Sequence, residues 1–76
     1  MSKFLFIIAQ EGFRDEELKQ PKHILEKAGY ECDIASVTTD LAFGKLGMQL
    51  TPDFAIKQIN PDNYIGICLV GGPGAP

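Results

Sequence analysis

Val70-Gly71-Gly72-Pro73-Gly74-Ala75-Pro76 follows directly on an apolar run that begins at Tyr64. Clustered glycines at a strand exit leave backbone N–H groups uncovered at the carboxyl edge of a sheet. That edge is where α/β proteins place their ligands. A helix is expected after such a turn. The chain therefore reads as one half of a functional unit, with part of its site on residues outside it.

The rest of the pattern suits that placement. Lys3 to Ala9 is a continuous apolar stretch, as in a parallel strand covered on both faces. Gln10 to Arg14 reads as a loop around Gly12. Asp15 is the expected N-cap of a helix, with Glu16 and Glu17 in its first turn. Leu18, Pro21, Leu25 and Ala28 fall on one helical face beside Ile24, and Gly29 stands where a helix stops. Pro21 has no N–H for the Glu17 carbonyl, so the sequence predicts a kink, or a second helix opening at Pro21.

Tyr30 to Val37 predicts a second strand with Tyr30, Cys32 and Ile34 on one face and Glu31 and Asp33 on the other. The polar face puts it nearer the sheet edge. Phe43 to Leu50, with glycines at 44 and 47, predicts a small antiparallel excursion. Thr51-Pro52 opens a short helix that Asn60-Pro61 ends. Tyr64 to Val70 is the next buried strand. The order is strand, helix, strand, excursion, short helix, strand: the opening half of a doubly wound α/β sheet.

Composition removes several functions. Ten acidic residues against seven basic ones give a formal net charge of −3, and no basic stripe exists for nucleic acid. The first apolar stretch meets Glu11 too soon to be a membrane span or a signal segment, and cytoplasm is the expected location. Cys32 and Cys68 lie inside predicted strands, as buried reduced thiols would. With His23 they supply too few ligands for a metal, and no cofactor is implied.

Two segments reach one rim of the sheet: Gln10 to Glu17 after the first strand, and Gly71 to Gly74 after the last. Backbone N–H groups free of side chains can hold an oxyanion, and a neighbouring carboxylate can share a proton with a nucleophile. Each segment also has a plainer reading. The glycines can be a tight strand exit and Glu17 a first-turn helix residue. Arg14 to Glu17 can be a solvated turn, His23 a surface residue, and Tyr64 a packing anchor.

Ile8-Ala9-Gln10-Glu11-Gly12-Phe13-Arg14-Asp15-Glu16-Glu17-Leu18, followed by Pro21, resembles the first loop and helix of the PfpI/ThiJ family. Leu25 to Ser36, Gly44-Lys45-Leu46-Gly47, Asn60 to Tyr64 and Leu69 to Ala75 resemble later parts of the same family in order. This family contains intracellular proteases, glyoxalase III-type enzymes and deglycases within the class I glutamine amidotransferase-like superfamily. The resemblance implies a flavodoxin-like fold and a reactive cysteine on a strand-to-helix elbow beyond the glycine turn.

By position, four before Pro21, Glu17 resembles the acid that hydrogen-bonds that cysteine. Gly72, with Gly71 beside it, resembles the oxyanion glycine, and Gly12, Phe13 and Arg14 fall where substrate is expected. Cys32 and Cys68 do not match the elbow. Glu17, protonated beside the thiolate, would donate to it and so lower the thiol pKa. The expected partners are a complementary C-terminal polypeptide carrying the cysteine, further copies of the complete unit, and a small carbonyl or peptide substrate. The alternatives are a chaperone-like stress protein that binds clients on exposed apolar surface, or a small-anion binding module.

Overall fold

The computed structural model describes residues 2–71, and Met1 and Gly72 to Pro76 lie outside that description. A four-stranded parallel sheet takes the order β6-β3-β1-β7, where β1 is Lys3–Ile7, β3 Glu31–Ser36, β6 Phe54–Ala55 and β7 Gly66–Leu69. A smaller three-stranded sheet is built from β2 (Glu11–Phe13), β4 (Ala42–Gly44) and β5 (Gln49–Leu50). The single α-helix among the described residues, α1, spans Asp15–Lys27.

Alternation along β1 divides the core. Phe6 and Ile8, with Phe4 beside them, face α1 and pack with Leu18, Phe13 and Ile34. Leu5 and Ala35 point the other way and are fully buried. Burying an apolar side chain of the size of Leu18 contributes about 1.5–3 kcal/mol. The α1 stripe is amphipathic: Leu18 is 0 % exposed, whereas Ile24, one step round the helix, is 65 % exposed.

The structure corrects four local expectations. First, Gln10 to Arg14 is not all loop. Residues 11–13 form β2 and pair in parallel with β4, with a bulge at Gly12, whose φ of 75° suits a residue without a Cβ. Second, α1 runs continuously through Pro21 with no second helix opening there. A helix held by tertiary packing tolerates one missing N–H.

Third, the N-cap is Arg14, and Asp15 is the first helical residue. The Asp15 carboxylate is drawn away from the helix end by stronger partners in the excursion. Fourth, no α-helix follows Thr51-Pro52 among the described residues. Asp53 exchanges two bonds with Ile34, its N–H donating to the Ile34 carbonyl at 2.8 Å and its Oδ2 accepting from the Ile34 N–H at 2.8 Å. That ties the segment to the sheet edge as β6. Only short 3-10 turns over Ile56–Gln58 and Pro61–Asn63 remain.

The remaining strands form where the sequence puts them, with two further corrections: β3 lies inside the sheet between β6 and β1, not near its edge, and β7 is exposed, not buried. The antiparallel excursion is β4 against β5, and Gly29 ends α1 at φ 96°. Tyr64 is the packing anchor: its hydroxyl donates to Asp33 Oδ2 at 2.7 Å, and burial together with that bond pushes its pKa up to about 12. The strand β7 stands at the open edge of its sheet among the described strands. Ile65, Ile67 and Leu69 there are 59, 47 and 78 % exposed.

Candidate functional site

The parallel neighbours β1 and β7 deliver their exits to one rim, with Ile7 opposite Leu69 and the Val70 N–H donating to the Ile7 carbonyl at 2.9 Å. The chain leaving β1 passes through β2 into α1, and the chain leaving β7 reaches Gly71. Two bonds join these exits. The Arg14 N–H donates to the Gly71 carbonyl at 2.8 Å, and the Gly71 N–H donates to Glu17 Oε1 at 3.0 Å. Glu17 Oε2 lies 3.6 Å from Arg14 Nε in a pair that solvent reaches freely.

Gly71 lies close against the flexible end of Glu17. A Cβ there would stand 2.9 Å from Glu17 Oε1 and 3.4 Å from Arg14 Cδ. Glu17 therefore meets Gly71, the neighbour of the favoured Gly72, across 54 residues of chain. In this arrangement the Gly71 N–H serves Glu17, while Gly72 lies outside the described residues. Gly12 forms the β2 bulge, and Arg14 lines a cleft of about 250 Å3 with Glu17, Glu16, Asp15, Lys45 and Leu46. Phe13 is 0 % exposed and packs within the core beneath the cleft.

Asp15 is the residue whose role the sequence reading missed. Its Oδ1 accepts from the Leu46 N–H at 3.1 Å and its Oδ2 from the Met48 N–H at 2.9 Å, which fixes the excursion over the start of α1. Burial works to raise its pKa, but these N–H groups outweigh it and hold the carboxyl below its usual 3.8. Gly44 belongs to the same arrangement, because a Cβ there would run into the Asp15 carboxylate. The sequence hint was the pair of glycines at 44 and 47: Gly44 makes room for the carboxylate, and Gly47 takes the positive φ of 100° that turns the chain between Leu46 and Met48.

Neither thiol hydrogen-bonds Glu17 or Gly71. Both are half-buried and free, which corrects the expectation of full burial. Burial and the nearby Glu26 push the Cys32 thiol up, away from a reactive thiolate. Cys68 shares a shallow groove with Glu17, Pro21, Ile24 and Leu69, but it lies within β7 and not at a strand-to-helix elbow. His23 is exposed on α1, and no group of three or more metal-binding side chains occurs among the described residues. None of their helices is long and apolar enough to cross a membrane.

A parallel sheet with a helix packed on its face defines a flavodoxin-like α/β protein, and the carboxyl rim of that sheet is the candidate site. The chain belongs to the DJ-1/PfpI family, whose sequence model matches residues 2–76. It is 40 % identical over 74 residues to the uncharacterized protein MJ0967 of Methanocaldococcus jannaschii, covering 97 % of this chain and 36 % of that one. To the deglycase PfpI of Pyrococcus furiosus it is 39 % identical over 70 residues, covering 92 % and 42 % of the two chains. A ThiJ/PfpI domain protein from Brachyspira murdochii superposes with a TM-score of 0.89 at 30 % identity, over 95 % of this chain and 42 % of the other. The chain thus spans 36 to 42 % of the length of these relatives.

Proposed function

We propose that this chain supplies the supporting acid and the glycine rim of a cysteine-dependent DJ-1/PfpI enzyme, acting with a thiol that lies outside residues 1–76. The observation that carries the reading is the Glu17 carboxylate seated on the Gly71 N–H at the exits of β1 and β7. An acid held at that rim is placed to exchange a hydrogen bond with a nucleophile arriving from a following strand. The deglycase name of the Pyrococcus relative favours removal of carbonyl adducts over peptide hydrolysis. In such a reaction a methylglyoxal hemithioacetal and water give the free thiol, lactate and a proton. The unit works in the cytoplasm, completed by a C-terminal segment that covers β7, and assembles into oligomers.

The test is Glu17→Leu in the assembled protein. Alkylation of the catalytic thiol by iodoacetamide at neutral pH should slow at least tenfold, with methylglyoxal-adduct hydrolysis falling in parallel. Unchanged alkylation removes Glu17 from the mechanism. One observation favours a second reading, a chaperone-like role: Ile65, Ile67 and Leu69 offer exposed apolar surface. Suppression of client aggregation without adduct turnover, and without dependence on the thiol, would decide for it.

A further inference from the structure

Two cations are brought together beside Glu17 by parts of the chain that are distant in sequence. The β2–β4 pairing places Gly44 opposite Phe13, and the Lys45 N–H donates to the Phe13 carbonyl at 2.8 Å. The next residue on each segment, Arg14 and Lys45, therefore lines the same cleft of about 250 Å3, with Leu46 as its apolar wall.

The acids of that cleft are largely engaged. Both Asp15 oxygens accept backbone N–H groups, and Glu17 takes the Gly71 N–H and the Arg14 Nε contact. Glu16 is the remaining carboxylate in the lining. Among the described residues Lys45 makes no ion pair, and Arg14 makes one, through Nε. The terminal guanidinium nitrogens of Arg14 can thus serve a ligand, and a guanidinium presents its donors in the fork that suits a carboxylate.

We propose that Arg14 and Lys45 form an anion subsite that selects carbonyl adducts carrying a carboxylate close to the reacting carbon. The inference rests on the proposed adduct-removing function and names its substrate class. Apolar Leu46 receives the methyl end of such an adduct, and the cations hold its acid group.

The experiment compares methylglyoxal adducts of N-acetylcysteine and of N-acetylcysteine amide, which differ only in that charge, in the assembled protein. The ratio of kcat/KM should favour the acid about tenfold and shrink as salt is raised. In Arg14→Gln/Lys45→Gln the ratio should fall to about one. Arg14→Lys/Lys45→Arg, which keeps both charges but moves the guanidinium fork, should retain a reduced preference above one. Equal ratios for the wild-type protein and the Gln variant overturn the subsite and leave the proposed function standing. If neither adduct is hydrolysed, the proposed function fails and binding decides the subsite. N-acetylcysteine should then shift the Leu46 and Gly71 amide resonances saturably where its amide does not, and identical responses overturn the inference.

Discussion

At the scale of single residues, the site depends on two close approaches. A Cβ at Gly71 would stand 2.9 Å from Glu17 Oε1 and would have to displace that flexible carboxylate. Gly71→Ala should push the carboxylate off the N–H, destabilise the fold by at most about 1 kcal/mol in urea melts, and slow alkylation of the thiol in the assembled protein. Full retention of both properties would show that the Glu17 contact is dispensable.

Asp15 makes the second approach, and its lowered pKa fixes the sign of a pH effect. The folded state favours the carboxylate, so its contribution is complete above the unfolded pKa near 3.8 and fades as pH falls through the lower folded value. Asp15→Asn can offer only one oxygen to the two N–H groups of Leu46 and Met48. The variant should be less stable than the wild type at pH 7, with the gap closing below pH 3.8. Urea midpoints measured across pH test this, and a gap that stays constant into strong acid would contradict it.

At the scale of elements, α1 is the informative piece. A proline inside a helix removes one bond and crowds the carbonyl four residues back, here that of Glu17. The helix nevertheless runs unbroken, because Leu18 and Leu25 bind it to the sheet. Pro21→Ala restores the missing donor and should stabilise the chain by about 1–3 kcal/mol, read as a raised thermal midpoint. A fall in the midpoint would mean that the proline ring packs better than it obstructs.

At the scale of the whole molecule, β7 is the unfinished edge. Its unpaired side and the exposed Ile67 and Leu69 form a surface that invites another strand or helix. We expect a complementary segment of the complete protein there, and amide exchange across β7 should be slower in the assembled protein than in residues 1–76 alone. Ile67→Lys/Leu69→Lys should release that segment, and because Ile67 stands beside the buried Leu5 of β1, circular dichroism of the variant checks that the sheet survives. A chain that is monomeric and cooperatively folded by itself would overturn the expectation.

The sequence by itself determined the periodic elements and the two exits. Apolar runs and strand exits are local signals, so β1, β3, the β4–β5 excursion and β7 were legible, as was the meeting of Glu17 with the glycine turn. Residues 10–14 and 51–60 misled because their conformation follows from partners far along the chain: Phe43 and Gly44 for β2, Ile34 for Asp53. Asp15 has the composition of a cap, and only the tertiary structure turned it toward Leu46 and Met48. The same holds for Arg14 beside Lys45. Side chains whose role is to join distant segments carry no periodic signature, since the geometry that gives them their partners exists only once the sheet has formed.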